Sequence, residues 1–324
     1  MPAEVPEAVV DDNDQKIMME TDMAGHWTHT FSFVTGAVRF FDLAYVVMSG
    51  DELDREKIPN SYFSEWDAGT WRDLGKTLWP TAGVAISKKP LQQMCAVGLY
   101  GQVKLAGSGD LHEEQIGLSP DSVRARGPLR GVRIIGERVY AVGMDRQAWR
   151  RDDAHRWTSI DQGARPPAGS QGVVGFEAVD GFSESDIYAV GWDGEIWHYD
   201  GNIWQQKQGP TNIVLTRVLC AGNGEVYASG RKGLLIRGRA DSWESIDHAS
   251  MIDDIWDLAW YQDRLYLSTM YGLFTLDQDR LLSVDFGEAA PASCYHLSAA
   301  DGVLWSIGGK DIMAFDGSQW MRID

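Results

Sequence analysis

The residues of this chain best able to do chemistry are few and scattered. His26 and His29, three apart, could begin a metal site, but no third ligand stands near them. His112-Glu113-Glu114 joins an imidazole to two carboxylates, the ingredients of general acid–base catalysis, and reads equally as a charged stretch on an outer strand. Gly107-Ser108-Gly109 begins a phosphate-binding G-x-G, yet His112 occupies the place of the third glycine; Gly222-Asn223-Gly224 fails in the same way at Tyr227. Neither a Walker loop nor a G-x-S-x-G elbow occurs. Cys95, Cys220 and Cys294 are far apart and form no C-x-x-C pair, so free thiols in a reducing compartment are expected. No catalytic residue, metal ligand or cofactor is therefore assigned. An enzyme would have to collect distant carboxylates in one cavity.

The elements that would position any such residues are set by an internal repeat. Ile187-Tyr188-Ala189-Val190-Gly191 recurs as Val139-Tyr140-Ala141-Val142-Gly143 and Val226-Tyr227-Ala228-Ser229-Gly230, with looser copies ending at Gly50, Gly98, Thr269 and Gly308. These seven anchors are spaced by 48, 45, 48, 39, 39 and 39 residues. A Trp follows four of them, at Trp157, Trp204, Trp243 and Trp320, and three of these open the strings Trp157-Thr-Ser-Ile-Asp161, Trp243-Glu-Ser-Ile-Asp247 and Trp320-Met-Arg-Ile-Asp324. A period near 40 residues with several short strands is the signature of a propeller blade. The expectation is an all-β, seven-bladed β-propeller of four-stranded antiparallel blades. Around Gly230 the strands fall at Val214–Leu219, Glu225–Ser229, Leu234–Gly238 and Trp243–Ile246, and the last blade lies within 293–324. The second strand packs on both faces, and the Trp of the fourth fills the widening wedge between blades.

The unit from Ile187 to Trp204 resembles the bacterial WD40-like and YVTN-like β-propeller repeats, over roughly residues 27 to 324. It lacks the Gly-His and Trp-Asp pairs of WD40 blades, the paired glycines of kelch, and one residue of the sialidase Asp-box at Asp200 and Asp316. The resemblance implies a fold and no activity.

The period is looser in the first half. Asp51–Pro59 is a charged insert with a helical turn expected before the proline, another insert follows Gly101, and 162–172 is a loop by composition. Residues 1–22 carry seven acids against Lys16 alone. They are expected to form a disordered tail, with one propeller domain over 23–324. No positive, apolar leader is evident and no apolar run reaches about 18 residues, so a cytoplasmic protein without membrane contact is expected.

Charge narrows the partner. Forty-seven acids against 29 Lys and Arg give a net charge of −18, which excludes a general nucleic-acid binder and favours a basic protein partner. One island is basic: nine arginines lie between Arg124 and Arg156. Either they pair with acids of the neighbouring blade or they form a dock for an acidic group. The turns between second and third strands carry more bulk than turning requires. Tyr100, Asp145, Arg146, Trp192, Asp193, Arg231, Lys232 and Tyr271 are the candidate partner-binding residues, with Met144 and Met270 beside them, because exposed aromatics with Arg compose binding hot spots. The reading is a monomeric, non-enzymatic, protein-binding propeller: an immunity protein that neutralises a bacterial toxin or effector. The alternatives are a glycosidase- or lyase-type enzyme using the central channel, a generic scaffold or adaptor, and a lectin. The specialised surface is expected in the first three or four blades, where the inserts lie.

Overall fold

The computed structural model describes residues 27–117, 122–167, 173–248 and 253–324. Consecutive strands form seven four-stranded antiparallel sheets, over residues 31–77, 81–115, 129–159, 176–207, 215–245, 257–283 and 296–322. First strands of neighbouring sheets lie side by side around the centre, and fourth strands form the rim. This is the seven-bladed propeller that the repeat implies. Blade 5 has strands Leu215–Cys220, Val226–Gly230, Leu235–Arg239 and Ser242–Ser245, each within one residue of expectation. The expected acidic tail at 1–22 and His26 lie outside the described residues. His29 ends a short 3-10 turn, Trp27–His29.

The repeated residues follow from packing. In Asp186–Gly191, the second strand of blade 4, Ile187, Tyr188, Ala189 and Val190 are all buried, since sheets pack on both faces. Such small and β-branched side chains suit a layer about 10 Å from its neighbours. The fourth-strand Trp reaches back to the preceding blade. Trp204 is 2% exposed and donates from Nε1 to Ile160 O at 2.7 Å. Trp157 donates to Glu114 of blade 2, and Trp243 meets Tyr188 of blade 4 edge-on.

The anchor glycine has an equally local cause. At the end of the second strand, the incoming inter-blade connection passes so close that a Cβ on Gly191 would lie 1.9 Å from Gly175 O, and one on Gly308 2.1 Å from Ser293 O. The same residue closes the next turn, Gly191 N–H donating to Glu195 O. Only glycine admits both approaches.

The ring closes without exchange of strands, because blade 1 is wholly N-terminal and blade 7 wholly C-terminal. Backbone and side chains stitch the seam instead. Phe33 N–H donates to Gly309 O, Val38 N–H to Ser298 Oγ, and Phe41 N–H to Asp301 Oδ2, all at 2.8–2.9 Å. Beneath them Trp305 and Trp66 meet edge-on in an apolar cluster shared by both blades.

Candidate protein-binding face

Turns between second and third strands share one face with the connections that lead into the next blade. Their hydrogen bonds show it: Trp192 N–H donates to Gly175 O, Ile255 N–H to Gly230 O, and Cys294 N–H to Met270 O. Inserts lie here too, including the helical turn Asp51–Arg55 ahead of Pro59. Left-handed backbone at Asp145, Arg146, Asp193 and Lys232 makes these turns tight, with φ between 47° and 58°.

The eight candidate residues all fall on this face, one turn per blade from blade 2 to blade 6, and they differ in freedom. Tyr271 is exposed, as are Asp193, Arg231 and Lys232. Tyr100 carries the Arg124 guanidinium 5.0 Å above its ring. Trp192 is half-buried and donates from Nε1 to Glu177 Oε1 at 2.7 Å. Asp145 accepts from Arg126 Nε at 2.8 Å. Arg146 is engaged inwards, donating to Glu195 Oε2 at 2.8 Å and lying over the Trp197 ring. The eight are thus brought to one face without forming one cluster.

Five of the nine island arginines pair across blades, while Arg126, Arg150 and Arg156 meet acids of their own blade. Arg130, Arg133, Arg138 and Arg146 of blade 3 meet Glu177, Asp180, Glu184 and Glu195 of blade 4 at 2.5–3.6 Å. Arg151 turns the other way into blade 2. It is fully buried and gives both oxygens of Glu114 a hydrogen bond, at 3.0 and 2.6 Å. Burial alone would raise the pKa of Glu114. The guanidinium, His155 N–H and Trp157 Nε1–H outweigh it and hold that carboxyl down at about 2. His112 bridges Asp110 and Glu114 at 2.7 and 3.2 Å. Glu114, a candidate acid–base partner of His112, is therefore an ionised tie between blades, beside an open, shallow groove lined by Gln102, Glu113, Gln115 and His155.

The channel wall repeats the device. Asp257 accepts from Arg217 Nε at 3.2 Å and from Leu297 N–H of blade 7; burial opposes its ionisation, and Arg217 with His296 brings its pKa to about 2. Cys95, Cys220 and Cys294 are free thiols, and burial pushes Cys95 up to about 12. Among the described residues no group of three His, Cys, Asp or Glu could hold a metal ion, and no helix is long and apolar enough to cross a membrane.

Large apolar residues exposed on this face were missed where they sit in the connections: Leu78, Val173 and Trp256. Connections differ in length from blade to blade, so the anchor motif does not point to them. The available signal was a bulky residue beside the start of a first strand, as Trp256 precedes Asp257.

The fold places the chain among seven-bladed β-propellers, and solved structures agree at that level. YCF48 from Cyanidioschyzon merolae superposes with a TM-score of 0.62 at 12% identity, covering 88% of this chain and 98% of that one. The extracellular domain of the hybrid two-component system BT3049 from B. thetaiotaomicron gives 0.61 at 11%, over 89% of this chain and 39% of that one. YCF48 bound to D1 peptide gives 0.53 at 14%, over 71% and 77%. No family model matches the sequence. A curated relative does: immune protein Tsi7 of Pseudomonas aeruginosa is 51% identical over 298 residues, 91% of this chain and 97% of its own length. The chain belongs to the family of immune protein Tsi7.

Proposed function

We propose that this chain is an immunity protein that binds a bacterial toxin in the cytoplasm and neutralises it, through the propeller face bearing the second-to-third-strand turns. The observation that carries this reading is the 51% identity to immune protein Tsi7 over nearly the whole of both chains. At that identity over nearly the whole of both chains the fold is shared, so a common mode of action is economical. The net charge of −18 would speed encounter with a basic toxin. Free cysteines suit a reducing compartment.

The test is co-expression in a bacterial host. The protein encoded beside this chain's gene should arrest growth alone, and this chain should restore growth while forming a purifiable one-to-one complex. A neighbouring product that is harmless alone, or one left active in the presence of this chain, would reject the reading.

A further inference from the structure

Exposed apolar residues of the turn-bearing face gather where blades 6 and 7 meet. Tyr271 and Met270 stand on the blade 6 turn, 76% and 38% exposed. Trp256, 41% exposed, ends the connection into blade 6. Its ring meets Tyr295 of the next connection edge-on, at 5.8 Å between centroids. Cys294 N–H donates to Met270 O at 3.0 Å, which holds that connection against the turn. The four side chains therefore make one patch on a backbone fixed by hydrogen bonds. Water is a poor environment for such a group, and Trp, Tyr and Met are the residue types enriched at the centres of interfaces.

The rim around the patch is acidic. The connections 246–256 and 284–295 hold Asp247, Asp253, Asp254, Asp285 and Glu288 and contain no Lys or Arg. Asp254 accepts the backbone N–H of Lys232 and Asp285 that of Gly287, and neither makes an ion pair among the described residues. Across the seam, the blade 1 insert adds Glu52, Asp54 and Glu56 against Arg55 and Lys57, and its Asp51 pairs with Lys310 of the blade 7 turn. On the opposite flank stand two exposed cations, Arg231 and Lys232.

We propose that the Trp256–Met270–Tyr271–Tyr295 patch docks a basic surface of the toxin, its carboxylate rim pairing with Lys and Arg of that surface. This rests on the immunity reading above. Charge complementarity selects the occupant: the aromatic centre gives burial, and a negative rim rejects an acidic surface. The chain's own first 22 residues, with seven acids and one lysine, would be repelled. Arg231 and Lys232 orient the partner by excluding its cations from the blade 5 side.

The experiment measures binding of the purified product of the neighbouring gene to full-length wild type and to four variants: Tyr271→Ala, Trp256→Ala, the double change Asp285→Lys with Glu288→Lys, and Leu111→Ala on the rim of blade 2. Tyr271→Ala should weaken binding by about thirtyfold or more, as loss of a central aromatic does. The charge reversal should slow association about tenfold or more at ~50 mM salt, and much less at ~500 mM. Leu111→Ala should stay within about twofold. Thermal melts check folding, which an exposed ring such as Tyr271 should not affect. If wild type binds and both aromatic variants bind equally well, the patch is refuted and the immunity reading stands. If wild type does not bind, both fall. A wild type that elutes as a dimer, with Tyr271→Ala as a monomer, would give the patch to a second copy and overturn the assignment.

Discussion

Two sectors of the propeller use charge in opposite ways. From blade 2 to blade 4, arginines and acids are interleaved and turned into the joints: Arg151 to Glu114, Arg133 to Asp180, Arg146 to Glu195. Around blades 6, 7 and 1 ties exist too, Arg217 to Asp257 and Arg237 to Asp279, but acids outnumber cations and Asp253, Asp285 and Glu288 stand exposed. The scaffold is equivalent in both, so the difference lies in what the side chains are for. Charges that hold blades together are unavailable to a partner; charges left over can steer one. Of the net charge of −18, residues 1–22 contribute −6 and residues 27–80 with 246–324 contribute −12, so residues 81–245 are balanced.

The sharpest way to break this comparison is to remove one tie. Arg151→Met leaves Glu114 ionised and buried without its cation, and such a loss costs about 3–5 kcal/mol. Denaturant midpoints should show it, whereas Glu288→Gln in the outward sector should change stability by no more than about 0.5 kcal/mol. The Glu114 carboxyl is depressed in the fold, so its contribution is complete above its unfolded pKa of 4.5 and is lost as pH falls towards about 2. Wild type should therefore lose more stability than Glu114→Gln across that window. Equal acid slopes would show that Glu114 is no tie. Trp204→Ala should cost a similar ~3–5 kcal/mol by emptying the wedge between blades 3 and 4. An unchanged midpoint would mean that the fourth-strand Trp does not carry the joint.

Periodicity made the blades legible and left the connections dark. Val-Tyr-Ala-Val-Gly marks a strand buried on both faces followed by a site of close backbone approach, and both constraints are local enough to leave a motif. Thr269 shows the limit: it replaces the glycine in blade 6 and its hydroxyl instead accepts the Gly272 N–H. The binding face was legible as a set of turns. Which turn residues are free was not, because this depends on partners some 50 residues away, as with Arg146 and Glu195. Nor does anything in the sequence near residue 271 reveal that Trp256 and Tyr295 come to stand beside it. Each stands 13 residues before an anchor, at Thr269 and Gly308, so the repeat marks them as equivalent positions, but only the packing of blade 6 on blade 7 brings them together.

A smaller effect sharpens the comparison at Arg146, which lies on the turn-bearing face yet points into the blade 3–4 joint. Arg146→Ala strips Glu195 of its cation and leaves it the Trp197 Nε1–H at 3.0 Å. A hydrogen bond to a charged group is worth about 1.5–3 kcal/mol, and stability should fall by that amount. Toxin affinity, measured well below the melting temperature, should change by less than for Tyr271→Ala. The reverse order would move Arg146 from the joint to the interface and erase the distinction between the two sectors there.

The smallest effect expected from breaking a tie lies at the seam between blades 7 and 1. Lys310 Nζ reaches Asp51 Oδ2 at 2.5 Å and Phe31 O at 2.6 Å, but its side chain is 40% exposed. Water screens this pair as it cannot screen Arg151 and Glu114, so Lys310→Met should cost about 1 kcal/mol or less. Burial, the largest single influence, raises the Asp51 pKa, and the hydrogen bonds from Lys310 and Ser32 with the charge of Lys310 together outweigh it, leaving the group below its ordinary 3.8. A lowered carboxylate pKa stabilises the fold above 3.8 and ceases to do so as pH drops through the folded value. The stability difference between wild type and Lys310→Met should accordingly be present at neutral pH and vanish in acid. Salt should also halve it or more by ~0.5 M, while the deficit of Arg151→Met should hardly respond. Should both deficits respond to salt alike, burial would not be what separates the joints of blades 2 to 4 from the surface of blades 6, 7 and 1.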